Sequence, residues 1–170
     1  TVRYTAKPNP DFERPKMPFE GLRVLDLTWV GVGPITTKYL GDHGAEVIRV
    51  ESVSRPDVLR YAPPFKEAQP GINRSQFSAN YNTSKYGLGL NMSKPRARDL
   101  VKRLLREWRP DVIAESFTPR VMPPWGLGYE DVRAVLPDVV YFSTCQQGQT
   151  GPHSGFAGFG QLAASLAGFY

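Results

Sequence analysis

Trp29-Val30-Gly31-Val32-Gly33-Pro34 is the first place where the residue types suit chemistry. The stretch closes an apolar run at residues 23–28 and opens a helix. Its glycines permit a tight turn, and proline presets the backbone of a first helical turn. A second apolar run at residues 46–50 follows and ends in Glu51. Strand–helix–strand units build parallel sheets, and open parallel sheets bind ligands beyond the carboxyl ends of their strands. The turn lies at such an end. It departs from the glycine fingerprint of dinucleotide-binding loops: Thr36 stands where a small residue is wanted, and Pro34 lacks the N–H a pyrophosphate would use. Glu51 alone would suit a ribose. Neither a G-K-[ST] phosphate loop nor a serine nucleophile elbow occurs.

Other reactive residues are sparse. His43, His153 and Cys145 are the only histidines and cysteine, and they lack the spacing of a zinc site, so no metal is expected. His43 falls near a helix C-terminus, which favours a cation. Cys145, at a strand end, reads as an inert buried thiol or as a nucleophile. Arg96, Arg98, Lys102, Arg103, Arg106 and Arg109 share one face of a helix. That face is a solvated surface or a nucleic-acid patch; no aromatic interleaves with it and no nucleic-acid motif is present, so nucleic acid is not expected. The net charge of +5 suits a small anionic ligand equally well. A single cysteine excludes an internal disulfide and points to a reducing cytoplasm. No apolar run approaches the ~20 residues of a membrane helix, so no membrane partner is expected.

These residues need a frame. Residues 1–18, with Pro8, Pro10, Pro15 and Pro18, read as an extended arm or linker: a disordered tail, or an arm lying across a partner or a preceding domain. Residues 53–80 form a long loop rich in proline, glycine and polar residues. A weak strand at 86–91 precedes a helix from Pro95 to Trp108, with Ser93 as its N-cap and Leu100, Val101, Leu104, Leu105 and Trp108 as its apolar stripe. Strands at 111–115 and 138–144 flank a short helix at 129–136, and a last helix covers 161–170. This order predicts an α/β fold with a doubly wound parallel sheet.

The run GLRVLDLTWVGVGPITTKYLGDHGAEVIRVES resembles the opening of the family III CoA-transferases, also called the CaiB/BaiF family. Asn82-Thr83-Ser84-Lys85, then DVIAESF from Asp111, GLGYEDVRAVL from Gly126 and VVYFSTCQQGQTGP from Val139 match in order, so the likeness covers roughly residues 19–168. The resemblance implies a Rossmann-like domain that is incomplete here. It would be the N-terminal portion of the large domain, without the small domain and the returning C-terminal segment. It implies an interlocked homodimer, or a tandem or heteromeric partner. No cofactor is held covalently; coenzyme A or acyl-CoA is a substrate, with a carboxylic acid as acceptor.

Position by position, the resemblance places Trp29, Val30 and Gly31 against CoA. Ser52 falls where relatives often have arginine. Leu90, Ser93 and Lys94 lie near the adenine and its phosphates, Ser116 and Phe117 at the next strand end, and Cys145 completes the set. Trp29 and Phe117 read equally as core aromatics, and Ser116 as a strand-end cap. Two departures stand out. Pro123-Pro124 replace a frequent arginine, and Gly160 occupies the position expected for the nucleophilic aspartate, so the catalytic residue is unknown. In the family, that aspartate attacks the thioester and forms a mixed anhydride, then an aspartyl-CoA thioester. Three readings follow: a CoA-transferase, a non-catalytic CoA-binding subunit or half of a tandem pair, and a racemase. The isolated chain is expected to be inactive.

Overall fold

A computed structural model describes residues 15–169. The elements run β1 (Arg23–Leu27), α1 (Val32–Asp42), β2 (Glu46–Glu51), α2 (Gln76–Tyr81), β3 (Tyr86–Gly89), α3 (Pro95–Glu107), β4 (Val112–Glu115), α4 (Tyr129–Arg133), β5 (Val140–Ser143) and α5 (Gly160–Leu166). The five strands are all parallel, in the order β3-β2-β1-β4-β5. From β1 the chain builds outward to β2 and β3 on one side, then returns to β4 and β5 on the other. The reversal leaves a crevice past the carboxyl ends of β1 and β4, where ligands of such sheets sit.

Side chains alternate along each strand, so each face gathers its own core. Leu25 and Leu27 of β1, Val50 of β2 and Ile113 of β4 pack with Val101 and Leu105 of α3 and Val132 of α4. Val24 and Val47 pack with Ala45 and Leu40 on the side of α1. The buried stripe of α3 is Ala97, Val101 and Leu105. Leu100, expected in that stripe, is 43% exposed, because the helix turns its smaller Ala97 to the sheet.

α1 can approach β1 closely because of Gly33. A Cβ there would lie 2.4 Å from the Cβ of Thr28, itself fully buried. Gly44, at φ 106°, ends the helix in the left-handed conformation that glycine adopts without strain. Gly33→Ala is expected to cost the full-length protein about 3 kcal/mol, the upper range for overpacking, since a rigid β-branched neighbour cannot yield. A denaturant midpoint equal to the parent's would show that the helix and strand can separate freely.

Several expectations need correction. Ser93 is not the N-cap of α3; Lys94 holds that position without a side-chain bond, and Ser93 Oγ instead lies 2.7 Å from Asn91 Oδ1. The stretch at 53–80 is not featureless. It forms 3-10 turns at Val58–Tyr61 and Lys66–Ala68 and then α2, whose N-cap is Ser75, accepting from Ser78 N. The Oγ of buried Ser75 also lies 2.7 Å from each of the carbonyls of Leu59 and Ala62, between which its one proton is shared. Polar anchoring of this kind leaves no apolar period to read. The basic face of α3 is not uniformly solvated: Arg98 donates to the carbonyls of Met92 and Ser93 and lies over the Trp125 ring. Residues 1–14 of the expected arm lie outside the described residues. Among those described, no helix is long and apolar enough to cross a membrane.

Candidate functional site

At the crevice, the end of β1 passes directly into residues 29–31. Val30 has φ 65°, a conformation that costs a β-branched residue on the order of 1–3 kcal/mol and persists only where neighbours impose it. Asp57 imposes it here, accepting the Val30 N–H at 3.0 Å. Ser116, at the end of β4, grips the preceding residue: its Oγ accepts the Trp29 N–H at 2.7 Å and lies 3.3 Å from the Trp29 carbonyl. The ends of two neighbouring strands are thereby tied by one hydroxyl.

Trp29, Phe117 and Trp125 stand in sequence around the crevice, with ring centroids 6.2 Å apart for the first pair and 5.8 Å for the second. They wall a cleft of about 320 Å³ that Ser52, Arg55 and Leu90 help to close. Trp29 and Phe117 are only partly buried, so they serve the core and the cleft at once.

Beneath the turn lies a buried charge network. Asp26 is fully buried, and its Oδ2 accepts from Lys85 Nζ at 2.9 Å and Thr37 Oγ1 at 2.7 Å. Its Oδ1 accepts the Thr28 N–H at 2.9 Å. Asp26 is paired in register with Arg49 across β1 and β2. Arg49 donates from Nη2 to Asp57 at 2.6 Å, while its buried Nη1 has no hydrogen bond and lies 3.9 Å from Asp26 Oδ2. Burial pushes the Lys85 ammonium below the usual lysine range, against the opposing pull of Asp26. Glu51 does not face the cleft as a free ribose ligand. Arg60 holds both its oxygens, at 2.6 and 2.7 Å, and Oε1 also accepts the Asp57 N–H. Burial raises this carboxyl, but those bonds outweigh it and hold Glu51 below the ordinary carboxylate range.

A fourth carboxylate, Glu115, closes β4. It is 2% exposed; one oxygen accepts the Phe117 N–H at 2.7 Å and the other faces Gln149 Nε2 at 3.3 Å. Burial raises its pKa above the ordinary value of 4.5, with bonds from Ser143 and the Phe117 N–H opposing. A carboxyl whose folded pKa is raised binds its proton more tightly in the native state, so stability falls as pH rises from the unfolded value through the folded one. Glu115→Gln is therefore expected to match the parent below that window and to be the more stable above it. Thermal unfolding of the full-length protein from about pH 4 to about pH 8 measures this; parallel profiles for both proteins would refute it.

Of the residues expected at the site, Trp29, Ser52, Leu90, Ser93 and Phe117 meet in the cleft. Val30, Gly31 and Ser116 form or hold the turn beside it. Lys94 is exposed at the start of α3 and does not line the cleft. Cys145 lies past β5, outside the cleft. It is half-buried rather than buried, with Sγ 3.2 Å from Gln149 Nε2. Gly160 opens α5, a helix with no buried residue, and also lies outside the cleft lining. Pro123-Pro124 form a short 3-10 turn with Trp125, which brings that indole to the cleft. Arg55, Trp125 and the charge network escaped the sequence reading. The opposed Asp26 and Arg49, each flanked on both sides by apolar residues of its strand, were the available signal, because charges inside a buried sheet need partners.

The model of CoA-transferase family III matches residues 19–170. The chain belongs to this family. Among curated family III relatives, the succinyl-CoA:glutarate CoA-transferase of Mus musculus is 38% identical over 97% of this chain, which spans 36% of that protein. The succinate–glutarate CoA-transferase of Agrobacterium fabrum is 36% identical over 94% of the chain and is spanned to 40% of its length. A CaiB/BaiF family protein from Brucella suis superposes with a TM-score of 0.79 at 31% identity, over 91% of this chain and 40% of that one. The chain thus spans well under half of the family III proteins it matches, within which its five-stranded sheet is one part.

Proposed function

We propose that the full-length protein is an acyl-CoA:carboxylate CoA-transferase acting on dicarboxylic acids, and that the cleft at the ends of β1 and β4 receives coenzyme A. The observation that carries this reading is the aromatic-walled cleft at the point where strand order reverses, beside a turn held in a strained conformation by Asp57 and Ser116. Stacking walls suit the adenine, and backbone N–H groups near a helix start suit its anionic attachments. The names of the mouse and bacterial relatives support the dicarboxylate class.

In this reading a carboxylate attacks the thioester carbonyl carbon, the C–S bond breaks and CoA leaves as thiolate. Gly160 has no side chain to make that attack and opens a helix with no buried residue, so in this reading another residue of the full-length protein supplies the attacking carboxylate. The rival reading is a CoA-binding subunit without turnover, and Gly160 is what favours it. Incubating the full-length protein with succinyl-CoA and labelled glutarate, then quenching with hydroxylamine, decides between them. Label transfer with a trapped hydroxamate is the expected result. CoA binding without transfer would establish the rival, and the absence of both would end the family-based assignment of activity.

A further inference from the structure

Among the arginines near the cleft, the charge is already committed, with one exception. Arg49 is bound to Asp57, Arg60 to Glu51, and Arg98 to the carbonyls of Met92 and Ser93. Arg55 lines the cleft, is exposed, and makes no side-chain hydrogen bond or ion pair among the described residues. Its guanidinium carbon lies 5.9 Å from the centre of the Trp29 ring. A guanidinium at this cation–π distance from an indole face keeps its N–H donors available to a ligand.

Its place in the backbone matters too. Ser52 and Arg55 form an antiparallel bridge, with Arg55 N donating to Ser52 O at 3.2 Å. Both residues line the cleft. The position where the family resemblance calls for arginine is Ser52, whose hydroxyl instead pairs with Ser54 at 2.7 Å. The tight turn lays Arg55 opposite that position. An apolar aromatic wall beside one uncommitted, forked cation is matched to a planar base carrying a phosphate.

We propose that Arg55 is the phosphate-binding cation of the cleft, supplying from three residues further on the charge that Ser52 lacks. This rests on the reading of the cleft as a CoA site. Its test is calorimetric titration of the full-length protein and of Arg55→Ala with CoA, dephospho-CoA and pantetheine. Arg55→Ala is expected to weaken CoA about tenfold to a hundredfold, as for loss of a charge-assisted bond, to reduce the salt dependence of binding, and to leave pantetheine unaffected. An equal loss with dephospho-CoA assigns the contact to the diphosphate; a loss confined to CoA assigns it to the 3′-phosphate. Adding Ser52→Arg to the alanine variant is expected to restore part of the affinity.

Wild-type affinity for CoA in Arg55→Ala overturns the proposal. So does an equal loss against pantetheine, which would signal damage to the cleft rather than loss of a phosphate contact, and so does failure of the second arginine to restore any binding. Parent protein that does not bind CoA at all overturns the CoA reading itself, which is a separable result.

Discussion

Lys85→Met is expected to cost the full-length protein about 3 kcal/mol, the lower end for breaking a buried ion pair. The side chains of Lys85 and Asp26 are 1% and 0% exposed. Without the ammonium, Asp26 keeps the Thr28 and Thr37 donors, but its charge is balanced only by Arg49 at 3.9 Å. Lys85 also donates to the Pro34 carbonyl at 2.8 Å and to Asn82 at 3.0 Å, so the substitution loosens the start of α1 as well. Urea unfolding of the parent, Lys85→Met, Asp26→Leu and the double variant measures the coupling. The double variant is expected to lose less than the sum of the single losses, since removing both charges leaves neither buried alone. Additive losses would mean that the pair contributes nothing as a pair.

On the proposed reading of the cleft, Trp29→Ala is expected to lower CoA affinity by about tenfold to several hundredfold. Base stacking on one aromatic side chain contributes ~1–3 kcal/mol, and the guanidinium of Arg55 loses a platform of about 0.5–1 kcal/mol. The folding cost stays smaller than for a core tryptophan, because the side chain is only half-buried. Titration with CoA, with Tyr86→Ala on the exposed edge strand as control, separates the two effects. A Trp29→Ala protein that binds CoA like its parent, with the Tyr86 variant also unchanged, would remove the indole from the site.

What could be read before folding was periodicity. Short apolar runs located β1, β2, β4 and β5 to within about two residues, and the helical spacing of the stripe with Val101 and Leu105 located α3, because burial in a covered sheet and against it demands those patterns. The turn at Trp29 was legible through Gly31, Gly33 and Pro34. Segments held by polar anchors were not. Ser75 secures the stretch before α2 through the carbonyls of Leu59 and Ala62, contacts that span 16 and 13 residues and leave no pattern in the local sequence.

The site divides along the same line. The turn at Trp29 was reachable from strand-end geometry alone, whereas Ser52, Leu90, Ser93 and Phe117 came from the family resemblance; the parallel sheet brings all five to one cleft. Arg55 and Trp125 were not, since their places depend on how a tight turn and a proline-rich 3-10 turn fold back over the crevice. Nor could composition assign partners among 21 basic and 16 acidic residues. The sequence by itself determined the parallel sheet, its strand-end turn and the family. Only the tertiary structure decided which charges are consumed inside, on Asp26, Asp57 and Glu51, and that the cleft arginine Arg55 stays unpaired, because desolvation forces pairing in the interior and imposes none at the cleft mouth.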